Sequence, residues 1–362
     1  MPPMDITVSP RADQTSDERL VEILGNPGFG IHFTDHMYVA EWTPDAGWQN
    51  ARVEAYGPIT LDPATAVLHY AQEIFEGMKA YRHADGSVWT FRPEANGERL
   101  ARSSRRLALP VLPVEDFVAS VDALVKVDER WVPDQAGEKS LYLRPFMFAS
   151  ETFLGVRPAK HVTYMVIASP AGAYFAKGLK PVSILVSEHY TRAAAGGMGA
   201  AKTGGNYASS LVAQQEAIDK GFDQVVFLDA FEHKWVEELG GMNLYFVHDD
   251  GTIVTPELTG TILEGITRRS IIELAGTLGH KVEERRFSID EWRDGVASGR
   301  ITEVFACGTA AVVTPVGTLA WAEGQVSTGD ETGSVTQAIR QALVDIQYGR
   351  AEDTFGWMHS VT

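Results

Sequence analysis

Cysteine is the scarcest residue in this chain of 362 residues, with Cys307 as its single example. A disulfide framework and a metal site built from several cysteines are therefore excluded, and a reducing compartment is indicated. Histidines do not take their place. His32 and His36 have the spacing of helical metal ligands, but they lie in a strand-like region without an acidic third ligand. We therefore predict no metal site.

Positive charge and long apolar runs are also scarce. Lys and Arg number 31 against 48 Asp and Glu, which gives a formal net charge of −17. This balance argues against a nucleic-acid partner, because phosphate binding needs clustered cations. No apolar run reaches membrane-spanning length, and the polar N-terminus lacks an apolar signal core. We expect a cytoplasmic protein with neither a membrane nor a nucleic-acid partner.

The length and the 44% hydrophobic content are enough for two domains with sizeable cores. The stretch 169–181 carries Pro and Gly at both ends, which is typical of a linker. We therefore expect a small N-terminal domain over 1–170, a linker over 171–182 and a larger C-terminal domain over 183–362. Predicted strands and helices are mixed without strict alternation, which favours an α+β fold over a doubly wound sheet.

Hydrophobic periodicity and turn residues predict the elements. The first residues are expected to form a mobile arm. The predicted helices cover 65–81, 96–109, 114–132, 207–220, 266–278 and 334–347. In the first of these the N-cap residues Asp62 and Thr65 precede apolar residues at helical spacing, namely Val67, Tyr70, Ile74 and Met78. The predicted strands cover 36–42, 51–55, 88–91, 141–149, 161–168, 182–186, 224–229, 235–239, 282–287 and 304–314, with a hairpin over 243–255.

A glycine-dense loop over 196–206 contains one lysine, Lys202. A solvated surface lysine is the simplest interpretation. A phosphate-binding P-loop is the second, since 196–203 departs from that pattern only at Ala201, and it would imply binding of ATP with magnesium. The preceding predicted strand, however, ends near Val186, which is too far upstream. The third interpretation is a lysine that forms a Schiff base, which needs an enclosed site and partners elsewhere in the chain.

Three other segments offer such partners. Glu237 and Glu238 are neighbours on a predicted strand, so their side chains point to opposite faces, one of which could face solvent and the other a site. Gly265 precedes a predicted helix whose first N–H groups are suited to an anion. Thr309 follows an apolar strand in a turn of small residues. Each of these alone is also typical of ordinary strand ends and helix starts.

Together these segments resemble the branched-chain aminotransferases, which belong to the fold-type IV class of pyridoxal-phosphate enzymes. The resemblance covers nearly the whole chain after the N-terminal arm, and the segments occur in the family's order. The matching segments lie within 29–37, 73–80, 141–145, 202–207, 238–243, 265–269, 308–310 and 345–350.

The resemblance implies a site for pyridoxal 5'-phosphate. Lys202 would be the Schiff-base lysine and the catalytic acid and base. Tyr207 would hydrogen-bond the phenolic oxygen of the cofactor, and Glu238, rather than Glu237, would hold the protonated ring nitrogen. The phosphate would be bound by Arg99, by the N–H groups of Ile266 and Thr267, and by Thr309.

The resemblance also implies a substrate site. Tyr142 and Arg144 alternate on one strand, so both face the same side, and they are similar to the family's pair near the substrate carboxylate. Gly241 stands where some relatives carry Thr. Phe29, Tyr70, Phe75 and Tyr174 would form apolar walls for the branched side chain, and ordinary core packing is the competing interpretation for these four. The full set of candidate substrate residues is Phe29, Tyr70, Phe75, Tyr142, Arg144, Tyr174, Gly241 and Ala310.

The implied enzyme is a branched-chain-amino-acid transaminase. It would exchange the amino group between leucine, isoleucine or valine and 2-oxoglutarate by a ping-pong mechanism, with L-glutamate and 2-oxo acids as the other small-molecule partners. A homodimer is implied as well. A D-amino-acid aminotransferase or an aminodeoxychorismate lyase would share the cofactor site, but not the segments 141–145 and 345–350. A non-enzymatic binding module is the remaining alternative.

Overall fold

The computed structural model describes residues 4–172 and 179–362, which fall into two compact units. The first unit contains residues 4–172, Ala201–Gly204 and Ile346–Thr362, and the second contains residues 179–200 and Gly205–Asp345. Helices and strands occur in both units, so the predicted α+β class is confirmed. The predicted boundaries at 170 and 183 stay a prediction. The short segment with Lys202 and the C-terminal segment group with the first unit, which sequence order alone does not reveal.

The helices and strands are numbered in chain order. The helices are α1 (Asp17–Gly25), α2 (Ala66–Tyr70), α3 (Pro93–Arg106), α4 (Val114–Val127), α5 (Gly204–Ala208), α6 (Leu211–Asp219), α7 (Ile266–Thr277), α8 (Ile289–Ala297) and α9 (Ser334–Gln347). The first eight strands are β1 (Thr7–Val8), β2 (His36–Thr43), β3 (Gly47–Ala55), β4 (Glu73–Phe75), β5 (Met78–Arg82), β6 (Val88–Phe91), β7 (Ser140–Ala149) and β8 (Val162–Ala171). They are followed by β9 (Val182–Val186), β10 (Gln224–Leu228), β11 (Val236–Leu239), β12 (Asn243–His248), β13 (Ile253–Thr255), β14 (Val282–Glu284), β15 (Ile301–Gly308), β16 (Val312–Trp321), β17 (Gly324–Ser327) and β18 (Met358–Ser360). None of the helices formed by the described residues is long and apolar enough to cross a membrane.

The first unit is built on one sheet with the strand order β1-β3-β2-β8-β7-β5-β6-β18, to which β4 adds by pairing with β7. Strand β7 alternates in burial: Leu141 and Leu143 are fully buried, while Tyr142 and Arg144 on the other face are half-buried. Helix α4 packs against β2 and β8 of this sheet, and its residues Phe117, Val121 and Leu124, which lie at helical spacing, are completely buried in the same core as Leu141 and Leu143. The opposite face of β7 is thereby left for polar side chains.

The second unit is built on another sheet, with the order β11-β10-β9-β16-β15-β12-β13-β14 and β17 paired with β16. Its core contains an aromatic cluster in which the Phe246 and Phe287 rings stack at 3.9 Å between centroids. Trp292 of α8 packs edge-on against Phe246 at 4.9 Å. Helix α8 begins after Ser288, whose hydroxyl accepts a hydrogen bond from the Glu291 N–H at 3.0 Å. Packing and capping together fix this helix on the sheet.

The predicted helix through residue 81 is wrong beyond its first turns. Helix α2 ends at Tyr70, and Ala71 takes the left-handed conformation with φ of 48°. The chain then forms β4 and β5, where Ile74 pairs with Met147 of β7 and is fully buried. Met78 is buried on β5 in the same way. A separation of four residues puts side chains on one face of a strand as well as of a helix, so the spacing fits both structures.

Other predicted elements differ in extent. The predicted strand over 304–314 is two antiparallel strands, β15 and β16, with Thr309 and Ala310 in the turn between them. The predicted helix over 207–220 is two helices, α5 and α6, and the helix from Val114 ends at Val127. The expected N-terminal arm contains ordered structure: β1 pairs with β3, and Ser16 caps α1. The hairpin around 250–251 is confirmed, with Gly251 at φ of 82°.

Candidate active site

The backbone of Lys202 is held by two segments of the first unit that are remote in sequence. Its N–H donates to Ser103 Oγ of α3 at 3.0 Å. Its carbonyl accepts the N–H of Phe75 in β4 at 3.0 Å. Ser103 is completely buried, and Lys202 itself is half-buried. Both peptide groups of this lysine are therefore fixed, which leaves its side chain as the part that can move.

Glu73 fixes the residues that follow the lysine. Its carboxylate accepts hydrogen bonds from the Gly204 N–H and, at 3.3 Å, from the Thr203 hydroxyl. Burial raises the pKa of Glu73 above its ordinary value, and the hydrogen bonds from Gly204 and Thr203 and the charge of Arg144 offset part of this rise. Glu73 thus acts as an anchor on strand β4 for the loop that carries Lys202.

Two cationic side chains contact the ring of Phe75. Lys202 Nζ lies 4.8 Å from the ring centroid, and the Arg144 guanidinium carbon lies 4.7 Å from it. Arg144 Nη2 donates to the Tyr142 hydroxyl at 3.0 Å, as the alternation on β7 predicts for two residues of one face. The Phe29 ring packs edge-on against Tyr142, 5.2 Å between centroids. The first unit therefore gathers five of the predicted residues around one point.

Gly77 is required beside this group. A Cβ atom at residue 77 would overlap the Tyr142 hydroxyl, so a larger residue would displace the Tyr142 side chain. Sequence reasoning included Gly77 only as part of a matching segment and did not assign it a role. Glu73 also belongs to a matching segment without an assigned role, and Ser103 belongs to none of the matching segments. None of the three carries a local sequence signal, because the partner of each lies far away in the chain.

Arg99 of α3 is buried and paired. Its guanidinium donates to both carboxylate oxygens of Glu76, from Nε at 2.8 Å and from Nη2 at 2.7 Å. Asn96 Nδ2 donates to the same carboxylate at 2.7 Å, and Glu76 is completely buried. This bidentate pair holds the Arg99 guanidinium in one orientation and compensates its charge inside the first unit. The family resemblance implies a cofactor role for Arg99, but nothing in the sequence indicates its pairing with Glu76.

Glu238 is the buried acid of strand β11 in the second unit. It is 1% exposed and forms an ion pair with Arg192, whose Nε lies 3.2 Å from Glu238 Oε2. The Leu263 N–H donates to its other oxygen. Arg192 is itself buried and also donates to the Thr261 carbonyl at 3.0 Å. The carboxylate is thus oriented by a cation and a peptide N–H.

The neighbouring Glu237 is also buried, at 4% exposure, so the expectation that one of the two acids could face solvent is wrong. Its Oε1 accepts the hydroxyl of Thr261. Burial raises the pKa of Glu237 above its ordinary value and the negative charge of Glu238 adds to this rise, while the Thr261 hydrogen bond and the charge of Arg192 offset only part of it. The two neighbouring acids therefore have different partners on opposite faces of β11.

The remaining candidates of the second unit lie in turns and at a helix start. Helix α7 begins at Ile266 and Thr267 after Gly265, which has an extended backbone and no side chain to cap the helix. Thr309 and Ala310 are half-buried in the turn between β15 and β16. A Cβ atom at Gly241 would lie 3.2 Å from the half-buried Tyr207 ring, so only a small residue fits there without movement.

Two predicted aromatic residues are less enclosed, and a third is not described. Tyr70 lies in the last turn of α2 and is 40% exposed. Phe29 is similarly exposed, at 44%, although its ring contacts Tyr142. Tyr174 lies outside the described residues. Phe75, another of the expected apolar walls, has its ring in close contact with the Lys202 amine.

The P-loop interpretation of 196–203 is wrong. Strand β9 ends at Val186 and helix α5 begins at Gly204, so no strand leads directly into the loop. A phosphate-binding loop presents its peptide N–H groups to the ligand. Here the Lys202 N–H is instead donated to Ser103, and Gly204 donates to Glu73.

The chain is similar to known aminotransferases. The family model described as amino-transferase class IV matches residues 73–319. A probable branched-chain-amino-acid aminotransferase of Streptomyces coelicolor is 60% identical over 98% of this chain and 98% of its own length. A branched-chain-amino-acid aminotransferase of Mycolicibacterium smegmatis is 55% identical, again with 98% of both chains covered.

Solved structures give the same result for the fold. The branched-chain amino acid aminotransferase of Escherichia coli superposes with a TM-score of 0.76 at 30% identity, covering 91% of this chain and 99% of that chain. A second branched-chain amino acid aminotransferase, from T.th. and solved with pyridoxamine 5'-phosphate, has a TM-score of 0.74 at 29% identity, covering 89% and 98%. The α+β fold is therefore that of the fold-type IV enzymes, and this chain belongs to the class IV aminotransferase family.

Proposed function

We propose that this aminotransferase exchanges the amino group between branched-chain L-amino acids (leucine, isoleucine and valine) and 2-oxoglutarate. Branched-chain 2-oxo acids and L-glutamate would be the products. Curated relatives with branched-chain names at 60% and 55% identity support this substrate class. The observation that carries the proposal is the group around Lys202: one amine, one guanidinium and the ring of Phe75 that both contact.

Pyridoxal 5'-phosphate is the cofactor, as the family and the relative solved with pyridoxamine 5'-phosphate indicate. When bound, it supplies an aldehyde that joins to an amine and a ring that withdraws electrons from the substrate α carbon. The chain's own groups fit it. Helix α7 offers the N–H groups of Ile266 and Thr267 at its positive end, after the side-chain-free Gly265. Glu238 offers a buried, oriented carboxylate for a protonated ring nitrogen.

We assign the cofactor roles on this basis. Lys202 would carry the cofactor covalently, Tyr207 would donate to its phenolic oxygen, and Glu238 would accept from its ring nitrogen. The pairing of Glu238 with Arg192 supports its role, because a neighbouring cation favours the ionised carboxylate that this contact requires. The groups assigned to the phosphate are Arg99, the N–H groups of Ile266 and Thr267, and the hydroxyl of Thr309.

Lys202 Nζ would also move the proton. It would take the proton from the substrate α carbon as a general base and pass it as a general acid to the cofactor carbon in the same half-reaction, and both transfers would run in the opposite direction in the second half-reaction. The backbone contacts to Ser103 and Phe75 support this role, because they confine motion to the side chain. Such confinement keeps the amine within reach of both positions of the proton.

Arg144 and Tyr142 would bind the substrate carboxylate. Among the described residues, Arg144 Nε is buried and has no hydrogen-bond partner, while Nη2 donates to Tyr142. A guanidinium with an unused donor on one edge is suited to an anion. The proposed walls for the branched side chain and the remaining substrate contacts are Phe29, Tyr70, Phe75, Tyr174, Gly241 and Ala310.

The covalent lysine is tested by the absorbance of the purified protein with pyridoxal 5'-phosphate. We expect a visible band that L-leucine removes and 2-oxoglutarate restores, and borohydride should fix the cofactor to the peptide containing Lys202. Lys202→Ala should lose both the band and turnover. Lys220→Ala, at an exposed lysine at the end of α6, should keep both. A band and full turnover in Lys202→Ala would refute the assignment.

The substrate class is tested by a matched set of amino donors. We expect turnover with L-leucine, L-isoleucine and L-valine, and little with D-leucine. A preference for D-leucine would favour a D-amino-acid aminotransferase instead. Arg144→Gln should raise KM for both L-leucine and 2-oxoglutarate by roughly tenfold or more, because a charge-assisted pair to a carboxylate is lost. An unchanged KM would remove Arg144 from the carboxylate site.

We also propose a homodimer in the cytoplasm. The family resemblance supports the dimer, and the single cysteine is consistent with a reducing compartment. Light scattering coupled to size-exclusion chromatography should give twice the mass of the 39.6 kDa chain. A mass equal to that of one chain would refute the dimer.

A further inference from the structure

A cleft of about 460 Å³ opens in the second unit on the Glu237 face of β11. Glu238, which we assign to the cofactor, does not line it. The walls are mostly apolar and include Trp235, Pro256 and Ile262, and the fully exposed ring of Phe231 lies at the rim. A volume of this size is in the usual range of small-molecule sites. The cleft plays no part in the proposed transamination.

Carboxyl groups outnumber cations around this cleft. Four acids line it and one arginine does, so its formal charge is negative: Asp229, Glu232, Glu237 and Glu257 against Arg286. Three of the acids are already engaged. Asp229 accepts four backbone N–H groups of the following turn, Glu232 accepts the Trp235 indole N–H, and Glu257 pairs with Arg286 at 3.4 Å.

Glu237 is the exception. It is more than nine-tenths buried, and its Oε2 has no hydrogen-bond partner among the described residues. Its Oε1 accepts the Thr261 hydroxyl, which in turn contacts the Thr259 hydroxyl at 2.8 Å. A buried carboxyl oxygen without a donor is costly, and a cation with an N–H group would satisfy both its charge and its lone pairs. The raised pKa of Glu237 is consistent with this uncompensated burial.

We propose that this cleft is a second ligand site, which binds a small organic ammonium ion with an apolar body. The N–H of the ammonium would donate to Glu237 Oε2, and the apolar body would lie against Trp235, Pro256 and Ile262. Anionic ligands are disfavoured by the acidic lining, and the single guanidinium is already paired with Glu257. The site is separate from the residues assigned to the cofactor and the substrate.

The test uses the holoenzyme and N,N-dimethylbenzylammonium as the probe. A tertiary amine cannot condense stably with an aldehyde, so covalent reaction at the cofactor is avoided. Isothermal titration calorimetry should show saturable binding of this cation. Benzyl alcohol, which is neutral, and phenylacetate, which is an anion, should bind at least tenfold more weakly. No saturable binding of the ammonium, or preferential binding of phenylacetate, would overturn the proposal.

Variants locate the binding. Glu237→Gln keeps the shape and removes the charge, and it should weaken the probe at least tenfold, or about 1.4 kcal/mol. Ala230→Trp should block the cleft with the charge retained, so it should also abolish binding. Glu323→Gln removes the same charge from an exposed acid outside the cleft and should leave binding unchanged. Equal affinity in Glu237→Gln and the unmodified protein, or displacement of the probe by 2-oxoglutarate, would refute a second site.

Discussion

Ser103 and Ser104 are neighbouring serines that allow a controlled test of how the lysine is positioned. Both are completely buried in α3. Ser103 Oγ accepts the N–H of Lys202 at 3.0 Å, whereas the Ser104 hydroxyl has no hydrogen-bond partner among the described residues. Replacing each by alanine removes the same atom from the same helix. The two variants therefore differ mainly in whether the Lys202 backbone loses its acceptor.

The expected magnitude follows from that one hydrogen bond. A partly buried peptide N–H that loses its acceptor costs about 1–2 kcal/mol. If the loss falls on the arrangement that Lys202 needs in the transition state, the rate decreases roughly five- to thirtyfold. Ser103→Ala should therefore lower kcat by that factor. Ser104→Ala should stay within about twofold of the unmodified enzyme, because no pair is broken.

The assay is steady-state transamination of L-leucine with 2-oxoglutarate, with kcat normalised to bound cofactor measured from the visible absorbance. Normalisation separates positioning of the lysine from loss of the cofactor. A kcat for Ser103→Ala equal to that of the unmodified enzyme would refute the reasoning, since the hydrogen bond would then have no catalytic consequence. Equal losses in both variants would indicate a general effect on the packing of α3 instead.

Three further predictions concern stability. The hydrogen bond from Arg157 is the largest cause that lowers the pKa of Glu151 to about 2. The unmodified protein should therefore have a higher free energy of unfolding in urea than Glu151→Gln above pH 4.5, and this difference should disappear as the pH falls towards 2. Phe287→Ala should destabilise the second unit by roughly 3–5 kcal/mol, because it leaves a cavity where the Phe287 ring stacks on Phe246. An unchanged unfolding midpoint would contradict this prediction. Glu237→Gln should raise the melting temperature at neutral pH, because folding raises the pKa of Glu237 and the ionised carboxylate therefore destabilises the native state. This gain should be lost below pH 4.5, where the carboxyl group is protonated in both the native and the unfolded state. A gain that persists at low pH would show that the charge is not the cause.

The fold was predictable where the spacing of apolar residues fits a strand but not a helix, or a helix but not a strand. In β7 the alternation of Leu141 and Leu143 with Tyr142 and Arg144 is compatible with a strand alone, and the structure confirms it. The segment after Tyr70 was not predictable in this way. Its apolar residues recur at a separation of four, which fits one face of either structure, and pairing with β7 decides for strands. Tertiary contacts therefore determine the local structure there.

The sequence indicated candidate residues for the site, but not the residues that hold them in position. The glycine-dense loop around Lys202 and the position of Tyr142 and Arg144 on one strand face are visible in the sequence, and the family resemblance assigns them to a site. Ser103, Glu73 and Glu76 carry no such signal, because their side chains act on partners that folding brings close. Lys202 lies 99 residues from Ser103, and Gly204 lies 131 residues from Glu73. No periodicity or spacing rule covers such distances.

Strand β11 shows how the same residue type acquires two roles at neighbouring positions. Alternation alone puts Glu237 and Glu238 on opposite faces, and it leaves open which of them is functional. The structure separates them by their partners. Glu238 has the buried cation Arg192 and a peptide N–H, so its negative charge is compensated and its direction is fixed. Glu237 has only the hydroxyl of Thr261, so its charge is costly unless another cation enters the cleft. A fixed and compensated carboxylate is suited to a resident cofactor, whereas a buried and under-compensated one is suited to an exchangeable cation.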